Sequence, residues 1–134
     1  QILVCEINWG CGSSREAAVN ALMANNIRVI IAPSFGDIHY SNCIKNGVLP
    51  IRLSAKNCGH IRIQLHESPG ASIAIDLDKQ AIFGPDQIRY TFEIDPLDKT
   101  RLINGLDDIS MTLEYQAEIE SFEQKYRQNN RWIF

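Results

Sequence analysis

The spacing of apolar residues changes twice near the start of the chain and predicts a β-α-β unit. Residues 2–5 form a continuous apolar run, which is typical of a strand covered on both faces. From Ser13 the apolar residues follow helical spacing as far as Asn25, and residues 28–32 return to β-branched apolar side chains. We therefore expect two parallel strands joined by a helix through a right-handed crossover.

A second helix and strand are predicted to follow directly. Ser34 with Asp37 fits a capping box for a helix that runs to about Lys45, and the Asn-Gly pair at 46–47 fits the end of that helix. Residues 49–53 are expected to form the next strand.

The middle of the chain predicts short antiparallel strands. Residues 72–77 alternate apolar and polar positions, and residues 89–94 show a similar pattern, with 81–83 as a third strand between turns. The stretch 55–67 is ambiguous, because its apolar spacing fits either a strand or a short helix.

Two helices are predicted in the last third of the chain. Residues 96–104 suit a short helix that ends at Gly105, and residues 115–126 suit an amphipathic helix whose Ile119 and Phe122 face inward. The whole pattern predicts an α/β fold with a parallel β-α-β core, short antiparallel strands and helices packed alongside.

The length of 134 residues suits one domain, spanning 1–134. Gln1 is not an initiator methionine, so we expect the polypeptide to begin upstream and the N-terminal part of the domain to be missing from this chain. The net charge of -3 comes without a basic stripe, which argues against nucleic acid as a partner. The longest apolar runs are far below the roughly 20 residues of a membrane helix, so a soluble protein is expected.

The cysteines give no metal-binding pattern. Cys5, Cys11, Cys43 and Cys58 lack the Cys-x-x-Cys spacing of a zinc or iron-sulfur site and are too few for a small secreted scaffold. We expect reduced thiols in a cytoplasmic protein, with no metal bound by this chain. The three histidines, at 39, 60 and 66, are expected on the surface or on helix faces rather than as metal ligands.

The segment 10–15 carries the chemistry of the chain. It lies between a predicted parallel strand and a helix N-terminus, where α/β proteins bind ligands. Its two glycines allow the backbone to approach a ligand, and the helix N-terminus favours an anion. Arg15 can hold a carboxylate through two parallel hydrogen bonds, beside the hydroxyl groups of Ser13 and Ser14.

Other interpretations of this segment remain open. Ser13-x-x-Glu16 also fits a capping box, which would make Ser13 a purely structural residue. Cys11 could be a nucleophile paired in the fold with a distant histidine, although no base is visible beside it. The third glycine of a dinucleotide fingerprint is absent, and so are a P-loop and a Gly-x-Ser-x-Gly motif, so neither NAD nor ATP is indicated. Asp107 and Asp108 are expected to cap the chain after Gly105.

Four ordered blocks resemble the 3-isopropylmalate dehydratase small-subunit family, the swivelling domain of the aconitase superfamily. They are Gly10-Cys11-Gly12-Ser13-Ser14-Arg15-Glu16, then residues 31–38, 46–51 and 104–113. The resemblance implies a heterodimeric lyase of leucine biosynthesis that interconverts 2- and 3-isopropylmalate by dehydration and rehydration. It implies that a large subunit holds a [4Fe-4S] cluster, while this chain closes a loop over the small hydroxy-acid substrate.

The resemblance also assigns roles within the loop. Ser13 matches the serine that, as an alkoxide, removes the carbon-bound proton of the substrate, and Gly12, Ser14 and Arg15 are the matching substrate-binding residues. The family also implies that residues 55–67 are helical.

The chain departs from the family at Ala17, where the family usually has a histidine, and the loop that discriminates among substrates precedes Gln1. Two alternatives therefore stay open. One is a related hydro-lyase subunit for another acid, such as homocitrate or a methylmalate, and the other is a non-catalytic organic-acid-binding module.

Overall fold

The computed structural model describes residues 1–12 and 14–132, and the described chain contains two three-stranded sheets flanked by helices. The elements follow the order β1 (Ile2–Val4), α1 (Ala17–Ala24), β2 (Val29–Ala32), α2 (Asp37–Lys45), β3 (Leu49–Arg52), α3 (Ala55–Glu67), β4 (Ala74–Asp76), β5 (Ala81–Phe83), β6 (Arg89–Thr91), α4 (Pro96–Asn104), α5 (Asp108–Leu113) and α6 (Gln116–Asn129).

The first sheet is parallel, with the order β1-β2-β3. Leu3 pairs with Ile30, and Ile30 in turn pairs with Pro50, so the register is continuous across all three strands. This confirms the predicted β-α-β unit and its continuation into a third strand. The parallel arrangement places the ends of β1 and β2 at one edge of the sheet, where the loops that follow them meet.

The second sheet is antiparallel, with the order β4-β5-β6, as the alternating pattern predicts. Residues 55–67, whose apolar spacing fits either a strand or a helix, form a helix, as the family resemblance implies. The hydroxyl of Ser54 caps this helix by accepting a 3.2 Å hydrogen bond from the backbone N–H of Asn57.

The parallel sheet has an apolar core on each face. One core joins the sheet to α3 and the antiparallel sheet through Ile31, Leu49, Ile51, Leu53, Cys58, Ile61, Ile82, Tyr90 and Phe92. The other joins it to α1, α2 and the loop after β2 through Cys5, Val19, Ile30, Ala32, Phe35, Cys43 and Val48. Burial on both faces explains why the strands are nearly continuous apolar runs.

The last motif of the family resemblance forms a helix junction. Gly105 ends α4 at a φ of +63°, and Asp107 caps α5 by accepting a 2.7 Å hydrogen bond from the backbone N–H of Ser110. Asp108 pairs with Arg101 of α4 and, at 3.8 Å, with Lys45 at the end of α2. The expected capping role after Gly105 is confirmed for Asp107, while Asp108 makes ion pairs instead.

Two predicted details were wrong. Gly36 is the N-cap of α2 without a side-chain cap, because the Ser34 hydroxyl bonds to Asn8 instead. In α6 no described residue is buried, and Ile119 and Phe122 are 37% and 66% exposed rather than facing inward. Phe122 stacks on Tyr126 of the same helix, with ring centroids 5.8 Å apart.

Within the part of the chain that the structure describes, no helix combines the length and apolar character that crossing a membrane requires.

Candidate functional site

The loop after β1 is bound along its first half to the loop after β2. The backbone N–H of Trp9 donates to the carbonyl of Ser34 at 3.0 Å, and the N–H of Gly36 donates to the carbonyl of Trp9 at 2.9 Å. These bonds continue the parallel pairing beyond the sheet. They fix residues 8–10 at the edge where the two strands end.

Asn8 makes the first turn of this loop. Its φ is +57°, a left-handed conformation that asparagine tolerates better than most residues. Its backbone N–H donates to the Ser34 hydroxyl at 2.8 Å, and that hydroxyl donates to the Asn8 side-chain oxygen at 3.2 Å. The serine predicted to cap α2 therefore holds the candidate loop.

Gly10 makes the second turn, at a φ of +74°, and it lies directly against α2. A Cβ atom at this position would be 2.7 Å from Cβ of His39 and closer still to the ring. Gly36 has a similar role one step further on, since a Cβ there would be 2.9 Å from Cα of Cys11. Both glycines are required by close packing of the loop on the start of α2.

His39 lies on a face of α2, one of the two positions expected for the histidines, and that face is buried. His39 is 3% exposed, and burial lowers its pKa because the charged imidazolium is poorly solvated there. Its Nε2 has no hydrogen-bond partner among the described residues, and neither has Nε1 of Trp9. The contact between His39 and Gly10 could not be predicted from the sequence, because only the tertiary fold brings α2 against Gly10.

The other two histidines lie on α3, on the opposite side of the sheet from His39. His60 is half-exposed, and its Nε2 lies 3.1 Å from the carboxylate of Asp86, which also accepts a hydrogen bond from Gln64. His66 is exposed near the candidate loop. The expectation of surface positions is correct for these two residues.

The predicted substrate-binding residues are exposed beyond the bound half of the loop. Gly12, Ser14 and Arg15 are all exposed, and outside Gly12 and its two chain neighbours no described atom lies within 4 Å of the position that a Cβ on Gly12 would take. Ser13, the predicted catalytic residue, lies outside the described residues. The loop thus has a tightly packed base at residues 8–10 and an accessible tip.

The capping box predicted between Ser13 and Glu16 does not match the start of α1. The helix begins at Ala17, and Glu16 is itself the N-cap, without a side-chain capping bond. Its carboxylate accepts a 2.6 Å hydrogen bond from the side-chain amide of Asn46 at the end of α2. Residues 14–15 are therefore not part of the helix, and the helix N-terminus lies just behind them.

A shallow cleft of about 670 Å³ runs along β1 and the base of the loop. One wall consists of residues 3–12, and the other is formed by Arg62 and His66 on α3. Arg62 forms an ion pair with Glu6 across this cleft, which ties the start of the loop to α3. The cleft is open to solvent beside the loop tip.

The four cysteines are free thiols, as expected. Cys5, Cys43 and Cys58 are buried, and burial raises the pKa of the Cys5 and Cys43 thiols to about 11. Cys11 is exposed in the loop. Among the described residues no three His, Cys, Asp or Glu side chains come together in a group that could hold a metal ion.

Three family models match the chain in succession. The aconitase C-terminal domain matches residues 1–56, and a model described as LeuD_N matches residues 64–96. The C-terminal domain of the 3-isopropylmalate dehydratase small subunit matches residues 108–134. The first match contains the candidate loop. The matches leave gaps only at 57–63 and 97–107.

Curated relatives match nearly the whole chain. A 3-isopropylmalate dehydratase small subunit from Rhodopseudomonas palustris strain HaA2 is 50% identical over 132 residues, or 98% of this chain. One from Nitrobacter hamburgensis is 47% identical over the same share. The chain spans 66% of the length of each of these two relatives.

A solved structure has the same fold. The crystal structure of 3-isopropylmalate dehydratase from Methanocaldococcus jannaschii is 31% identical, with a TM-score of 0.65. The match covers 91% of this chain and 68% of that one. The predicted fold of the aconitase C-terminal type is therefore confirmed.

Proposed function

Because the chain belongs to the family of 3-isopropylmalate dehydratase small subunits, we propose that it is the small subunit of such an enzyme. Together with a large subunit it interconverts 2-isopropylmalate and 3-isopropylmalate by dehydration and rehydration, in leucine biosynthesis in the cytoplasm. The observation that carries the proposal is the exposure of Gly12, Ser14 and Arg15 at a loop tip whose base is packed against the carboxyl edge of a parallel sheet.

The loop tip binds one carboxylate of the substrate. Arg15 supplies a planar guanidinium that donates two parallel hydrogen bonds, and the Ser14 hydroxyl supplies a further donor. The open space at Gly12 lets the backbone approach the substrate closely. These groups fix the substrate so that its carbon-bound proton faces the tip of the loop.

Ser13 is the base in this proposal. An isolated serine hydroxyl does not lose its proton at neutral pH, so the alkoxide needs local positive potential. Arg15 lies two residues away in sequence, and the N-terminus of α1 follows directly at Ala17 with its partial positive charge. Ser13 accepts the proton from carbon during dehydration and returns it to carbon during rehydration.

The large subunit is the partner and the expected holder of the [4Fe-4S] cluster, as the family resemblance implies. When bound, the cluster supplies a Lewis acid for the hydroxyl group that leaves the substrate. The part of the present chain is to bring the loop tip over the substrate, hold a carboxylate, move the proton at Ser13 and exclude bulk water.

Reconstitution with a large subunit tests this proposal. The chain and a cluster-bearing large subunit are combined anaerobically and offered 3-isopropylmalate, homocitrate and a methylmalate in parallel. We expect turnover of 3-isopropylmalate by the pair and by neither subunit alone. Turnover of another acid only would identify a related hydro-lyase subunit, and binding without any turnover would identify an organic-acid-binding module. Either result would overturn the proposal.

A further inference from the structure

The buried histidine on α2 has no role in the proposed chemistry, yet it touches the base of the loop that carries it. His39 is 3% exposed and lies beneath Gly10, whose backbone fits there only because it has no Cβ. The ring and Cβ of His39 contact Gly10, which lies three positions before Ser13 in the sequence. His39 therefore bounds where the loop can begin its outward turn.

Among the described residues, Nε2 of His39 has no hydrogen-bond partner, and an unpartnered buried nitrogen costs free energy compared with an apolar atom in the same place. Burial also lowers the pKa of His39, because the charged form of the ring is poorly solvated there. What the ring supplies is a flat, rigid surface of the right size under Gly10.

The backbone on both sides of Gly10 is also held in place, so the surface of the His39 ring determines the path of the turn between the two fixed points. The N–H of Trp9 donates to the carbonyl of Ser34, and the carbonyl of Trp9 accepts from the N–H of Gly36. The backbone therefore enters Gly10 from a fixed point. Gly36 packs against Cα of Cys11, which limits the exit on the other side. With entry and exit held, the His39 ring sets the height and direction of the turn between them.

We propose that His39 is a positioning residue, whose ring supports Gly10 and so places Gly12, Ser14 and Arg15 for substrate. The inference rests on the proposed function of the loop tip. His39 touches neither substrate nor cluster in this account. Its effect is transmitted through the backbone of Gly10 and Cys11.

Two substitutions separate ring shape from ring chemistry. His39→Phe keeps a flat ring and removes both nitrogens, while His39→Ala removes the support. In the reconstituted complex we expect His39→Ala to lower kcat/KM for 3-isopropylmalate by about ten-fold or more, because small misplacements of positioned groups are costly to rate. His39→Phe should restore kcat/KM to within about three-fold of the parent, since the support is restored.

Hydrogen exchange of the full chain gives a readout that does not depend on activity. Peptides covering residues 5–12 should exchange faster in His39→Ala than in the parent and at the parent rate in His39→Phe. If His39→Ala does not fold, His39→Val, which also lacks a ring, takes its place. This comparison still tests the inference if the parent complex fails to turn over isopropylmalate, which would overturn the proposed function alone.

A double-mutant cycle tests the contact itself. Gly10→Ala should destabilise the chain, because the new methyl group meets His39, and His39→Ala added to it should relieve part of that loss. Gly59→Ala in α3 is the control, since the added Cβ meets no described atom within 4 Å apart from its chain neighbours and the backbone of its own helix. Additive effects at positions 10 and 39 would overturn the inference. So would parent-like exchange and kinetics in His39→Ala, or a His39→Phe variant as impaired as His39→Ala.

Discussion

The carboxylate of Glu16 accepts a 2.6 Å hydrogen bond from the side-chain amide of Asn46. The two residues belong to different blocks of the family resemblance, one at the end of the candidate loop and one at the end of α2. The same amide donates to the carbonyl of Asn42 at 2.9 Å, so Asn46 closes α2 and fastens the start of α1 with one side chain.

Replacing Asn46 by aspartate should lower the free energy of unfolding by about 1 kcal/mol, because a charge-assisted hydrogen bond is exchanged for two neighbouring carboxylates at an exposed site. Urea denaturation at neutral pH measures the change. Asn25→Asp is the matched control, since Asn25 ends α1 with the same bond to the carbonyl four residues earlier, Ala21, and has no carboxylate partner in the structure's described part. Equal losses in the two variants would contradict a role for Glu16.

Arg15→Lys should impair substrate capture far more than folding. Lysine keeps the charge but loses the planar two-point grip on a carboxylate, so we expect kcat/KM to fall by about ten-fold or more with little change in Tm. Steady-state kinetics of the reconstituted complex and a thermal melt of the chain provide the two readouts. Arg89→Lys, an exposed change on β6, is the control. Unchanged kinetics would place Arg15 outside the substrate site.

Thiol labelling should distinguish Cys11 from the other cysteines. Cys11 is exposed in the loop, whereas Cys5, Cys43 and Cys58 are buried, with the pKa of Cys5 and Cys43 raised to about 11. Because the thiolate is the reacting form, the native chain should show one fast equivalent with a chromogenic disulfide at pH 8. Cys11→Ser should remove that fast phase. Two or more fast equivalents in the parent would contradict the burial of Cys5, Cys43 and Cys58.

The stability of the chain should fall as the pH drops from 7.5 to 5. Burial lowers the folded-state pKa of His39, so the unfolded chain binds a proton below its usual pKa of about 6.5 while the folded chain resists it. The carboxylates with lowered pKa, such as Asp76 and Asp107, lose their contribution only below about pH 4, so they do not interfere in this window.

Urea denaturation at the two pH values measures this dependence, and His39→Phe should reduce it. His66→Phe, at an exposed histidine, should leave it unchanged. A parent-like pH dependence in His39→Phe would assign the effect to other groups.

The order of strands and helices was predictable because burial on one face or on two leaves a period in the sequence. Cap residues were less predictable, since Ser34 and Glu16 satisfy partners that are distant in sequence, Asn8 and Asn46, rather than their own helices. The inward face of α6 was predicted from amphipathicity, which shows an apolar stripe but not what covers it.

Part of the candidate site was also predictable from the sequence. The loop could be found because its glycines, serines and arginine are contiguous, at the end of a strand. The support under it could not, because the contact between Gly10 and His39 joins two elements that only the tertiary fold brings together. A histidine near the start of a helical segment carries no local signal of burial.

The most direct test of the catalytic role proposed for the loop is turnover of 3-isopropylmalate by the complex reconstituted with Ser13→Asn. Asparagine is polar like serine but cannot form an alkoxide, and the N-cap of α1 is Glu16 rather than residue 13, so folding should be unchanged. We expect a parent-like Tm, unchanged association with the large subunit and turnover reduced to near background. A well-folded Ser13→Asn complex that dehydrates 3-isopropylmalate at close to the parent rate would contradict the catalytic role.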